Sequence, residues 1–182
     1  MNFRNFGSSI VGLLAVLGTL SLITGCKSHH SIRSGTRSDI VVGNQQWSRI
    51  AGQGWFGVFY QPEGSEVRIG LSRTETTLVA GSSDDTILQR ELMLLRRYAD
   101  STISVQGTDR IATDFGSVPV YRLQSSDPDW QLRSLAIFQD TGGQIVNVGF
   151  YSARSSVSPK VIRDYLNTMY RGKLIGMNRG QR

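Results

Sequence analysis

Residues 145–169 read IVNVGFYSARSSVSPKVIRDYLNTM, and this stretch carries the fold in miniature. Val146, Val148 and Phe150 fall on one face of a period-two pattern, as a β-strand requires. Ser158-Pro159 then signals a helix start: the serine caps free N–H groups, and the proline takes a first-turn place where no N–H is needed. Val161, Ile162, Tyr165, Leu166 and Met169 follow at helical spacing and predict a buried stripe, which Gly172 ends. A strand leading into an amphipathic helix predicts a sheet with a helix laid on it.

Upstream, Asp140-Thr141-Gly142-Gly143 separates Gln131–Gln139 from Gln144–Tyr151 and predicts a tight hairpin. Ile103–Val105, Arg110–Phe115 and Val118–Leu123 are further strand candidates. Asp84–Ala99 predicts a helix, with Ser83 or Asp84 as cap and Asp84 and Asp85 at the positive end of its dipole. Leu88, Leu92, Leu95 and Ala99 form its apolar stripe, flanked by Ile87 and Leu94. Before it come the aromatic-rich strand Gly54–Tyr60, a turn at Pro62-Glu63-Gly64, and short candidates at Val67–Leu71 and Thr77–Ala80. The order strands, helix, antiparallel strands, helix predicts one α+β domain over residues 45–170: an antiparallel meander sheet with two main helices packed on it.

Three pieces, GWFGVFYQPEG (54–64), GSVPVYRL (116–123) and the stretch 145–169, together resemble the PsbP/DcrB-like proteins over roughly residues 45–170. The resemblance implies an α/β/α sandwich and an accessory role in binding or assembly.

The N-terminus gives an address. Arg4 is followed by an uncharged run, Ile10 to Ile23, too short to span a hydrocarbon core of roughly 30 Å comfortably. Ile23-Thr24-Gly25-Cys26 then resembles the lipobox of bacterial lipoproteins. That resemblance implies cleavage between Gly25 and Cys26, removal of residues 1–25 as a signal peptide, and acylation of the Cys26 thiol. Several acyl chains on one residue hold a protein stably on a bilayer, where a single chain is marginal. Lys27 stands where aspartate in that family retains a lipoprotein in the inner membrane, so the expected place is the outer membrane, facing the periplasm. Residues 26–44 read as the lipidated cysteine and a polar tether.

The chain of 182 residues carries a formal charge of +6. Residues 171–182 contain Arg171, Lys173, Arg179 and Arg182 and no acid, and read as a solvated basic tail. An envelope address leaves no role for nucleic acid; the expected partners are the membrane, through Cys26, and another envelope protein.

Chemistry is sparse. Cys26 is the sole cysteine, and both histidines, His29 and His30, lie in the tether, so the domain has neither thiol nor imidazole. No cofactor or metal set is expected, since two histidines on a tether make a poor site. Asp127, Asp129 and Asp140 would support a carboxylate-dependent hydrolase only by converging in one cleft; Asp-Pro-Asp suits a turn equally. Trp55, Phe56 and Tyr60, within an aromatic cluster that includes Trp47 and Phe59, divide between core and contact surface, the latter if exposed. A non-catalytic binding or assembly factor is the leading expectation. A small-molecule or lipid carrier is the alternative, and it requires an apolar pocket.

Overall fold

The computed structural model describes residues 37–52, 55–74, 82–98, 101–127, 131–154 and 156–176. Eight strands form one fully antiparallel sheet. They are β1 (Arg37–Val42), β2 (Gln45–Ala51), β3 (Val58–Pro62), β4 (Arg68–Thr74), β5 (Ser104–Thr113), β6 (Gly116–Gln124), β7 (Leu132–Gln139) and β8 (Ile145–Tyr151). Helix α1 (Asp84–Tyr98) stands between β4 and β5, and α2 (Pro159–Arg171) follows β8. The strand order β1-β2-β3-β4-β8-β7-β6-β5 joins two meanders back to back through β4 and β8.

Residue alternation places the helices on opposite faces. In β7, Leu135 and Ile137 pack with Leu88, Leu92 and Leu95 of α1, whereas Ala136 and Phe138 pack with Ile162, Leu166 and Met169 of α2. Successive side chains of a strand point to opposite sides, so each helix covers its own face. Both helices start as their sequences predict. Ser83 Oγ accepts from Thr86 N–H at 3.3 Å, and Ser158 Oγ accepts from Val161 N–H at 3.4 Å. Gly172 closes α2, donating its N–H to Thr168 O.

The sheet is strongly coiled about α2, which touches both edge strands, β1 and β5. A flat eight-stranded sheet would hold its edges about 34 Å apart at strand spacings near 4.8 Å, and a helix is only about 10 Å wide. Because β1 and β5 run in opposite directions, their turns occupy diagonal corners of the sheet, and right-handed twist brings such corners toward one face. At one corner, a Cβ on Gly172 would lie 2.8 Å from Val42 Cγ1 and 2.9 Å from Gly43 N, so the β1–β2 turn and the end of α2 meet at a point without a side chain. At the other, Asn167 Oδ1 accepts from Asp114 N–H at 2.8 Å, and Arg171 Nη2 and Nε donate to Asp114 Oδ2 at 2.6 and 2.9 Å.

On the α1 face a single ring seals the centre of the sheet. Gly70 and Gly149 are direct partners across β4 and β8. A Cβ on either would lie within 2.7 Å of Phe56. The ring therefore rests on bare backbone, with Phe59 and Tyr151 around it at 5.9 and 5.7 Å between centroids.

Several sequence expectations need correction. The tether expected over 26–44 gives way to β1 by residue 37, and β2 had no strand reading at all. β1 is the sheet edge and β2 its neighbour, and most of their residues are exposed or half-buried, so they lack the apolar alternation that signals a strand. The expected strand at Gly54–Tyr60 begins only at Val58, because Gly52 N–H donates to Gly57 O and closes a loop that carries Trp55 and Phe56. Ile103–Val105 and Arg110–Phe115 are parts of one ten-residue strand, interrupted by a bulge at Val105/Gly107. The C-terminal segment after residue 170 is not all solvated tail: Ile175 is buried in the α2-side core, and Leu174 O accepts from Arg73. The Thr77–Ala80 candidate lies outside the described residues.

Candidate functional site

The aromatic residues proposed as a contact surface are mostly interior. Phe56 is 1% exposed and Tyr60 5% exposed, which removes both as partner contacts. Phe56 packs on the α1 face and Tyr60 on the α2 face, where Trp47 meets Tyr60 and Tyr165 edge to face. Trp55 is half-buried, and its Nε1 has no hydrogen-bond partner among the described residues. Gly25, Cys26, His29 and His30 lie outside the described residues, as does Asp129.

The two described acids, Asp127 and Asp140, do not share a cleft. Asp127 precedes β7 and Asp140 follows it, so about 25 Å of extended strand separates them at about 3.3 Å per residue. Asp140 is occupied by the hairpin: its Oδ1 accepts from Gly142 N–H at 2.8 Å and Gln144 N–H at 3.0 Å. Arg73 Nε stands 3.8 Å from its other oxygen. Among the described residues no three His, Cys, Asp or Glu side chains stand close enough to hold a metal ion, and no helix is long and apolar enough to cross a membrane.

The cavity of functional interest lies on the concave face, where α2 begins. It encloses about 420 Å³, within the range of small-ligand pockets (about 300–1,000 Å³). Its apolar surface comes from Ile111, Val120, Val157 and Ile162. Polar groups enter from adjacent strands: Asp109 of β5, Arg122 of β6 and Ser134 of β7, with Ser156 and Ser158 from the segment leading into α2. Arg122 faces Gly107 across the β5–β6 ladder, where a Cβ would lie 2.4 Å from its Nη2, so the absence of a side chain gives the guanidinium its place. From there its Nε reaches Asp109 Oδ2 at 3.4 Å. Both partners are about half exposed, so the pair is weakly held. Ser134 is 2% exposed and lines the cavity from β7. The first turn of α2 contains no acid to offset the positive end of its dipole. This site was missed at the sequence level because its residues come from three strands and a helix start far apart in the chain.

A second polar feature is sealed inside the α1 layer. Glu91 is fully buried on α1. Its Oε2 accepts from Asn147 Nδ2 at 2.7 Å and lies 3.5 Å from Thr74 Oγ1. Glu91 Oε1, Asn147 Oδ1 and Ser72 Oγ have no partner among the described residues. Burial pushes the Glu91 carboxyl above the usual carboxylate range, against the pull of Asn147, the Arg90 charge and Thr74. A signal for it existed: Glu91 stands three residues after Leu88 and four before Leu95, on the buried stripe itself. On the same face, burial and the nearby Asp84 and Asp85 push the Tyr121 phenol up to about 12.

A third, shallower groove lies between β1, β2 and β3, where Arg37 and Asp39 share the hydroxyl of Ser48. Its walls are mostly polar, with Arg37, Asp39, Gln46, Ser48, Gln61 and Glu63 beside Pro62.

No family model, curated protein or solved structure matches this chain.

Proposed function

We propose that this chain is a lipid-anchored cell-envelope protein whose domain binds another envelope component and performs no chemistry on it. The observation that carries the binding half is the concave-face cavity, with its aliphatic floor and the polar side chains of Asp109, Arg122 and Ser134 at its wall. Neither histidine nor cysteine occurs after His30 to activate the Ser134 hydroxyl as a nucleophile. The carboxylate-hydrolase reading loses its support, because Asp127 and Asp140 stand at opposite ends of β7. The resemblance to PsbP/DcrB-like proteins, carried by the pieces 54–64, 116–123 and 145–169, agrees with an accessory role.

The anchor half rests on Ile23-Thr24-Gly25-Cys26 behind its short apolar run. The Lys27 side chain following the cysteine supports an outer-membrane destination. The test is to produce the full chain, tagged at its C-terminus, in a bacterium with two membranes, then fractionate and analyse the N-terminal peptide by mass spectrometry. The expected product begins at an acylated Cys26 and sediments with outer membranes. Cys26→Ser is expected to abolish acylation and cleavage, and Lys27→Asp to move the protein to the inner membrane. An unacylated Cys26 in the wild-type chain would overturn the anchor reading.

A further inference from the structure

We infer that the concave-face cavity binds small aliphatic zwitterions of the α-amino acid kind. Arg122 takes the carboxylate, Asp109 takes the ammonium, and Ile111, Val120, Val157 and Ile162 receive the side chain. This deepens the binding reading proposed above and rests on it.

Strand register sets the two charges side by side. Gly107, Arg122 and Ser134 form one row across β5, β6 and β7, and Asp109, Val120 and Ala136 form the next. Val120 and Ala136 belong to the α2-side core, and alternate residues of a strand share a face, so both rows look into the concave side. Arg122 has a glycine on one side and a serine on the other, with Asp109 as its diagonal neighbour. An ion pair between groups this exposed adds little to stability. What the pair does add is one charge of each sign at the wall of a cavity whose floor is aliphatic.

The pair also keeps binding capacity. Its contact engages Arg122 Nε and Asp109 Oδ2 at 3.4 Å, which leaves Nη1 and Nη2 as donors and Oδ1 as an acceptor outside that contact. A guanidinium edge with two nitrogens suits a carboxylate, and a carboxylate oxygen suits an ammonium. A ligand with a single charge would set a like charge against either Asp109 or Arg122. A zwitterion sets an opposite charge against each. In an α-amino acid both charged groups are attached to one carbon, which matches two protein charges that nearly touch. The termini of a peptide are at least one further residue apart.

The floor and the volume select the side chain. No aromatic ring lines the cavity, so a branched alkyl group fits better than a planar one. At about 420 Å³ the space lies toward the small end of ligand pockets, which span about 300–1,000 Å³.

Residues 37–176 carry the strands, the helices and both cores, so the chain from Lys27 onward is the protein to test. Leucine, isoamylamine, isocaproate and isoamyl alcohol share one branched alkyl group and differ in charge. Each would be titrated by calorimetry, with amide shifts followed by NMR. Leucine is expected to bind saturably at one site and shift the amides of Val120, Arg122 and Ile162, with the other three at least about tenfold weaker. Arg122→Gln and Asp109→Asn are each expected to weaken leucine at least about tenfold with little change in thermal midpoint, because the pair they break is half exposed. Gly107→Ala keeps both charges but puts a Cβ 2.4 Å from the present place of Arg122 Nη2, and is expected to weaken leucine as well. Undiminished leucine binding by folded Arg122→Gln or Asp109→Asn would overturn the site. Equal binding of the amine, the acid or the alcohol would overturn the zwitterion assignment while leaving a binding cavity in place. Silence of all the probes would overturn the site and take the cavity out of the binding reading too.

Discussion

The two faces of this sheet bury their polar groups in opposite ways. On the α1 face, Glu91 and Asn147 are buried under a helix beside Ser72 and Thr74, and Glu91 Oε1, Asn147 Oδ1 and Ser72 Oγ meet no partner among the described residues. On the α2 face, Asp109, Arg122 and Ser134 border a cavity where α2 begins, and a molecule from outside can meet them. A buried carboxyl with one orphan oxygen marks an internal compromise, whereas polar groups at a cavity wall can be met from outside. Burial alone does not separate the two, since Glu91 and Ser134 are both almost wholly enclosed. Access does.

The largest expected effect tests how completely the α1 face is sealed. Phe56→Ala removes the ring from Gly70 and Gly149, and two glycines offer no atoms to fill the space. A loss of about 3–5 kcal/mol is expected, lowering the thermal midpoint by roughly 2–4 °C per kcal/mol for a chain of this size. Calorimetry of the variant would show it. A loss under about 1 kcal/mol would mean that the seal lies elsewhere.

Next in size is a gain. Glu91 holds its proton more tightly in the fold than in the unfolded chain. Its contribution is therefore fully present below the ordinary value of 4.5 and is lost as pH rises through the raised one. Glu91→Gln keeps an oxygen to accept from Asn147 Nδ2 and adds an N–H₂ that can serve Asn147 Oδ1. Urea unfolding at pH 7.5 is expected to show the variant more stable by about 1–3 kcal/mol. The advantage should disappear when the same curves are measured below pH 4.5. A destabilised variant at pH 7.5 would show that the carboxylate has a partner, and that the α1 layer is not closed.

The corners of the concave face give the smaller effects. Asn167→Ala strands the Asp114 N–H and is expected to cost about 1–2 kcal/mol, with faster hydrogen exchange confined to the β5–β6 turn. Arg171→Ala removes a solvent-facing ion pair to the same aspartate, for a cost under about 1 kcal/mol that shrinks further in salt. Equal effects from the two variants would place the strength of that corner in charge, not in the buried amide.

The sequence disclosed what one element can disclose alone. Both helices, their caps and their buried stripes were legible from Ser83, Ser158 and the spacing of Leu88, Leu92, Leu95, Ile162, Leu166 and Met169, because periodicity survives wherever one face is apolar. The hairpin at Asp140–Gly143 was legible because its turn residues name their own geometry. β1 and β5 were obscure or fragmented because edge strands keep much of their surface in water, β2 beside β1 is also largely exposed, and Gly107 adds a bulge that shifts the alternation of β5. The aromatic run 55–60 was ambiguous for a different reason: ring content argues equally for core and for contact, and only the Gly70–Gly149 pair decides for Phe56. The cavity was invisible because no spacing rule links Asp109, Arg122, Ser134 and Ser158. Glu91 was readable from its place on the stripe, three residues after Leu88 and four before Leu95.

The joining of two meanders at β4 and β8 also fixes an order of assembly. Each meander closes through neighbouring hairpins, which form over short loops and quickly. The seam between them pairs Gly70 with Gly149, across α1 and three further strands of chain, and such distant closure is slow. Neither corner of the sheet can be pinned until Asn167 and Gly172 are present. The sheet therefore stays open at both corners until α2 has been made.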